Sequence, residues 1–173
     1  RLLFVGCLIG LWAFSSQAAE WTMASGYPKS NFHTQNIIKF IDDVKSGSSV
    51  KINLNPNDTL IKLDAIKTSL QRGQIPIGEI RFGIYGNEDP MYILAGLPFI
   101  APDYASAWLL KEVKHAYLQE KFNKKGLRIL YTSPWPGQGF YTKFPVNKVS
   151  DFNGKKLRIY STATQQMGSM LGF

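Results

Sequence analysis

With 173 residues and a formal net charge of +8, the chain is long enough to bury a core of its own, and its basicity invites an anionic partner. Its lysines are scattered, clustering only at Lys124-Lys125 and Lys155-Lys156, with no arginine-rich or aromatic-interleaved stretch. That pattern, with an export signal at the start of the chain, argues against a nucleic-acid binder and fits a general positive field that attracts anionic solutes better.

The first nineteen residues hold an apolar run from Leu2 to Phe14, followed by the small-residue stretch Ser15-Ser16-Gln17-Ala18-Ala19. This is the layout of a secretory signal peptide cleaved near Ala18 or Ala19, too short for a membrane span. No methionine precedes Arg1, so the sequence reads as beginning inside its gene product. The single cysteine, Cys7, lies in this segment, so the exported part folds without a disulfide or a cysteine metal site.

From Trp21 the apolar period switches between about 2 and about 3.6, the pattern of alternating strands and helices. Trp21 to Ser25 predicts a strand. Ser30 or Asn31 caps a helix with Ile37, Ile38, Ile41 and Val44 inward and a stop at Gly47. Val50, Ile52 and Leu54 alternate along a second strand, which ends in the turn Asn55-Pro56-Asn57-Asp58. Asp58 or Thr59 opens a second helix burying Leu63, Ile66 and Leu70 and ending at Gly73, and a short strand runs from Gln74 to Ile80. A β-α-β-α-β run builds an α/β sheet whose ligands sit beyond the carboxyl ends of its strands. Glu79 falls at such an end, ahead of a loop punctuated by Gly83 and Gly86.

Asn87-Glu88-Asp89 reads as a capping cluster for a helix starting at Pro90. Gly96 to Phe99 makes a turn, and Asp103 caps a long helix carrying Ala107, Leu110, Val113, Tyr117, Leu118 and Phe122 inward, with Gly126 as its stop. Further strands are predicted at Leu127 to Tyr131, Phe140 to Lys143 and Lys155 to Tyr160. The prolines of Pro134-Trp135-Pro136 fix one indole, suited to a hinge, to the apolar wall of a pocket or equally to core packing. The 155–160 strand puts Leu157 and Ile159 on one face and Lys156, Arg158 and Tyr160 on the other. Arg158 is the leading candidate, because a guanidinium held on a strand matches a carboxylate with two parallel hydrogen bonds. A last helix starts between Thr162 and Thr164, and its apolar Met167, Met170 and Leu171 read as cut off from a partner.

No P-loop, dinucleotide fingerprint, nucleophile elbow or zinc spacing is present. His33 reads as a capping or packing residue and His115 as solvated, so no catalytic residue, metal or cofactor is expected.

Six segments carry a family likeness: Tyr27 to Thr34 (YPKSNFHT), Asn53 to Asn57 (NLNPN), Arg72 to Glu79 (RGQIPIGE), Leu97 to Phe99 (LPF), Pro134 to Gly139 (PWPGQG) and Asp151 to Arg158 (DFNGKKLR). In this order they resemble the solute receptors of tripartite ATP-independent periplasmic (TRAP) transporters, the dicarboxylate-receptor (DctP) type. The resemblance implies a periplasmic-binding-protein-like α/β fold of two domains with a hinge and an interdomain cleft. It divides the chain into the signal peptide at 1–19, a first α/β domain at 20–132, and hinge strands with the start of a second domain at 133–173, the rest of that domain missing. By the same likeness Arg158, in Gly154-Lys155-Lys156-Leu157-Arg158, grips the ligand carboxylate, and Glu79 lines the cleft from the first domain. Gln138 falls where some sialic-acid-type members have a second arginine, a departure that argues against such a ligand. Trp135 completes the candidate set as a wall. The implied function is periplasmic capture of a small organic acid and its delivery to the membrane subunits of a TRAP transporter. The competing readings are the receptor of an ATP-driven importer and a secreted α/β enzyme.

Overall fold

The computed structural model describes residues 19–173; the signal-peptide expectation, apart from residue 19, lies outside them. Three strands, β1 (Glu20–Ala24), β2 (Lys51–Asn55) and β3 (Ile77–Gly78), form a parallel sheet in the order β2-β1-β3. Glu20 to Ala24 pair with Lys51 to Asn55, while Met23 and Ala24 pair with Ile77 and Gly78. The crossovers are α1 (Phe32–Gly47) and α2 (Ile66–Gln71). This is the expected β-α-β-α-β order, and the chain is α/β.

One face of the sheet buries Met23, Ile52 and Ile77 against Ile37 of α1, with Phe40, Ile41 and Val44 packed around them. The stripe advances by three or four residues, as a helical face must. Asn31 rather than Ser30 is the cap: its Oδ1 accepts the His33 N–H at 2.9 Å. The opposite face buries Ala24 against Ile66 and Ile75. Closure there depends on Gly78, because a Cβ at that position would lie 2.7 Å from Ile66 Cγ2.

α2 begins at Ile66, later than expected from Asp58 or Thr59. Asn57 and Asp58 both adopt positive φ, near 59° and 57°, and the Asp58 carboxylate accepts the Leu63 N–H at 2.8 Å. The side chain that was to cap a helix instead closes a loop, a competition inherent to short carboxylates.

α3 (Tyr104–Asn123) is capped by Asp103, which accepts the Ser106 N–H at 2.7 Å. Its inward face is Lys114, Leu118 and Phe122. Val113, expected inward, is exposed at 72%, Tyr117, also expected inward, is exposed, and so are Trp108 and Leu109. The i, i+4, i+8 face wins because the Lys114 stem covers apolar surface, its ammonium 5.9 Å from the Phe82 ring centre, while only its head needs water. Leu118 and Phe122 pack with Tyr85 and Tyr92 of the short 3-10 turns Phe82–Tyr85 and Pro90–Tyr92.

The acidic pair divides its work. Asp89 caps the turn at Pro90, accepting the Met91 N–H at 2.9 Å, and also takes the Tyr117 hydroxyl at 2.6 Å and pairs with Lys121 at 3.0 Å. Although burial works against it, these partners hold the Asp89 carboxyl below its usual range. Glu88 caps nothing: it pairs with the buried Lys67 and, at 2.9 Å, with Lys125.

The expected strands at 127–131, 140–143 and 155–160 are absent among the described residues, because these segments find no ladder partner there. The last of them leads into α4 (Thr162–Leu171), capped by Ser161, whose Oγ accepts the Thr164 N–H at 3.2 Å. Phe152 stacks on Phe173 at 4.7 Å and meets Phe140 at a tilt at 5.0 Å, fastening the intervening loop to the end of α4.

Candidate functional site

Beyond the carboxyl ends of β1 and β3 two polar side chains meet. Ser25, fully buried, follows β1, and Glu79 follows β3; their backbone N–H groups extend the ladder to Asn55 O at 3.0 Å and Ala24 O at 2.9 Å. The Ser25 hydroxyl donates to Glu79 Oε2 at 2.5 Å. Burial raises the Glu79 carboxyl above its usual range, and this one hydrogen bond only partly opposes it.

The Ser25-Gly26-Tyr27 turn is pinned at Tyr27, whose carbonyl accepts the Asn57 N–H at 2.8 Å and the Thr34 hydroxyl at 3.2 Å. This holds the Tyr27 ring against Trp135, centres 5.3 Å apart, and His33, 6.0 Å. Trp135 also meets Phe32 at 5.2 Å and His33 at 4.5 Å edge to face, the favoured geometry for aromatic quadrupoles. His33 is therefore a packing residue, and burial holds its imidazole below the usual value. His115 is exposed, as expected.

Arg81 lies two residues beyond Glu79. In an extended segment such neighbours share a side, and the Arg81 guanidinium lies beside the Tyr27 hydroxyl without an aligned hydrogen bond. Burial pushes the Tyr27 phenol up; the nearby Arg81 opposes that and Glu79 adds to it. Burial likewise raises Tyr131, with Glu79 contributing. Arg81 Nη2 donates to Tyr160 O at 3.1 Å, and its guanidinium carbon stands 5.7 Å from the Tyr160 ring centre.

Among the described residues three buried polar side-chain atoms have no hydrogen-bond partner: Tyr27 Oη, His33 Nε2 and Arg81 Nε. Buried donors and acceptors are nearly always paired in folded proteins, so these atoms, two of them on the neighbouring rings of Tyr27 and His33, single out this cluster as the candidate site. An open groove of about 410 Å³, lined by Asp58, Lys62, Leu63, Asp64, Arg81 and Ile84, touches the cluster only through Arg81. A second, of about 830 Å³, runs from Gly86 and Pro90 to Thr162 and Met170. Neither contains Glu79 or Trp135, and the polar constellation, not the groove volume, defines the candidate site.

Of the four residues nominated from the sequence, Glu79 and Trp135 lie around Tyr27. Gln138 is exposed and folds back on its own loop, its Nε2 donating to Pro136 O at 3.1 Å. Arg158 is exposed, with no hydrogen bond or ion pair among the described residues, two positions from the Tyr160 carbonyl that Arg81 holds. Ser25, Tyr27 and Arg81 were not nominated. The Glu79-Ile80-Arg81 alternation at a strand end was the signal that could have found Arg81.

A parallel sheet with covered faces and a polar cluster at its carboxyl edge is an α/β architecture that periplasmic-binding-protein-like receptors share. A profile of the family described as "Bacterial extracellular solute-binding protein, family 7" (DctP) matches residues 23–173, and the chain belongs to that family. Among solved structures it is similar to DctP6 of Bordetella pertussis, an extracytoplasmic solute receptor binding pyroglutamic acid, with 37% identity and a TM-score of 0.85 over 89% of this chain and 52% of that one. DctP7 of the same organism, also binding pyroglutamic acid, gives 36% and 0.85 over 90% and 52%. A marine metagenome TRAP solute binding protein specific for pyroglutamate gives 36% and 0.84 over 90% and 52%. The chain thus spans about half the length of these solved relatives. No curated protein sequence matches it.

Proposed function

We propose that this chain is part of a periplasmic TRAP receptor that captures a small organic acid and hands it to the transporter's membrane subunits, with no chemistry performed on the ligand. The observation that carries the reading is the Ser25-Glu79-Tyr27-Arg81 cluster at the carboxyl edge of the sheet, with its unpartnered buried polar atoms. The non-enzymatic reading rests on the family, which is described as solute-binding. Residues 20–132 supply one wall of the cleft, and residues 133–173 begin the other. An export signal at 1–19 delivers the protein to the periplasm.

In this reading Arg158 takes the ligand carboxylate through its planar fork, Trp135 forms an apolar wall, and Glu79 and Gln138 present polar groups. Pyroglutamate, bound by relatives 36–37% identical, is the first ligand to test. Calorimetric titration of the complete gene product tests the proposal, preceded by mass spectrometry of whatever organic acid it carries through purification. Arg158→Lys keeps the charge and removes the fork, so affinity should fall at least about tenfold, consistent with about 2–5 kcal/mol for truncating a buried charged partner, while the melting temperature stays put. Unchanged affinity would reduce Arg158 to a surface charge.

A further inference from the structure

The cluster holds more polar capacity than a single carboxylate can use. Glu79 has one oxygen occupied by Ser25, while the other, Oε1, accepts no hydrogen bond among the described residues. Two donors, Tyr27 Oη and Arg81 Nε, are buried and unpaired among the described residues, and both Arg81 and Glu79 lie close enough to Tyr27 to act on its phenol. Arg81 forms no ion pair among the described residues, and its one hydrogen bond goes to the neutral Tyr160 carbonyl. An open acceptor and two unmatched donors thus belong to one cluster around Tyr27, and leaving a buried polar group unmatched is costly.

We infer that Glu79, Tyr27 and Arg81 read a cyclic amide edge on the ligand, Glu79 Oε1 accepting its N–H while Arg81 and Tyr27 donate to its carbonyl oxygen. The inference rests on the receptor reading above and names the ligand class: small carboxylates that carry a lactam beside the acid. In a lactam the N–H and C=O are held cis, so one edge of the ring presents a donor and an acceptor side by side, the complement of this trio. The acid group is left for Arg158. Burial already disfavours a lone negative charge at Glu79, and a ligand N–H is the kind of partner that relieves it. A linear dicarboxylate brings the opposite match, a second carboxylate against Glu79, and like charges in such a contact are strongly unfavourable. Ser25, donating to Oε2, fixes the direction in which Oε1 looks, and the pinned Tyr27 backbone fixes the phenol.

The test is calorimetric titration of the complete gene product with three probes: L-pyroglutamate, the γ-lactone in which a ring oxygen replaces the N–H, and glutarate. Pyroglutamate should bind at least about tenfold tighter than the lactone, since a site built for an N–H rejects analogues lacking it, and glutarate should bind weakest. Glu79→Ala should erase the preference for lactam over lactone. Arg81→Met and Tyr27→Phe should weaken lactam and lactone alike, both of which keep the carbonyl. Tyr27→Phe retains the ring packed on Trp135, so it keeps the fold if Arg81→Met does not. Equal affinity for lactam and lactone, or undiminished pyroglutamate binding by Tyr27→Phe together with a folded Arg81→Met, overturns the inference. Tight binding of an unrelated carboxylate but not of pyroglutamate overturns it too, and leaves the receptor reading standing. Failure of the parent protein to bind any carboxylate sinks both.

Discussion

Arg81 and the backbone carbonyl of Tyr160 are joined at 3.1 Å across 79 positions of sequence. The bond reaches from the loop after β3 to the residue just before α4, where the Tyr160 and Ser161 N–H groups both donate to Thr164 Oγ1 at 3.1 and 3.0 Å.

If Arg81 anchors that junction, Arg81→Met should speed amide exchange at Tyr160 and Ser161 several-fold while leaving the β1-β2 ladder untouched, because local opening is governed by local contacts. Hydrogen exchange read by NMR settles it. Unaltered protection at both amides would make the contact incidental.

His33 gives the protein a pH dependence of defined sign. Its folded-state value lies below the unfolded one, with burial the cause, so the unfolded chain takes a proton that the folded one refuses. Stability is full above about pH 6.5 and falls as pH drops through that value. Glu79, raised by burial, works in the other direction, gaining stability as pH falls. The difference between the parent and His33→Leu isolates the imidazole: urea unfolding at about pH 7.5 and about pH 5.5 should show the parent losing stability relative to the variant. Parallel curves would mean that His33 titrates as freely as in the unfolded chain.

Lys67 is 2% exposed, its ammonium paired with Glu88 and 4.2 Å from the Tyr85 ring centre. Glu88→Gln should cost about 1–2 kcal/mol, less than the loss of a fully buried partner because Glu88 is open to solvent. Lys67→Met, which removes the buried charge and keeps most of the volume, should cost less. A Lys67→Met protein that melts well below Glu88→Gln would show that the ammonium itself, not its pairing, stabilises this loop.

Two glycines should respond to alanine in opposite ways. At Gly86 a Cβ would sit 2.5 Å from Ile93 Cγ2 and 2.8 Å from Thr162 Oγ1, so Gly86→Ala should destabilise by about 1–3 kcal/mol through overpacking. At Gly47, the last residue of α1, a Cβ meets nothing within 4 Å, and Gly47→Ala should stabilise by about 0.4–1 kcal/mol. Thermal melts of the two variants suffice. A neutral Gly86→Ala would show that the turn against α4 yields freely.

The periodic signal captured what local burial encodes. The alternation of Val50, Ile52 and Leu54 and the stripe through Ile37, Ile41 and Val44 carry the face each element must hide, and those elements stand where they were expected. Leu157 and Ile159 alternate as well, yet 155–160 is no strand, because alternation specifies a face and not a ladder partner. Val113 and Lys114 exchanged places since residue type alone conceals the buried stem of a lysine. In the candidate cluster, the place of Glu79 just beyond a strand end was legible. Tyr27 and Arg81 were not, because what marks them is missing hydrogen bonds, and those emerge only when distant segments are brought together.

The β2-β1-β3 order also fixes how the chain can assemble itself. Joining Glu20 to Lys51 closes a loop of 31 positions, whereas bringing Ser25 to Glu79 spans 54. The longer closure costs only about 0.5 kcal/mol more by the logarithmic loop law, but β3 contributes just two paired residues to the ladder against five in β2. The β1-α1-β2 unit is therefore the piece that can nucleate, with β3 adding afterwards to the free side of β1. Glu79 reaches Ser25 only with that second step, so the carboxyl edge of the sheet is completed after its core has formed.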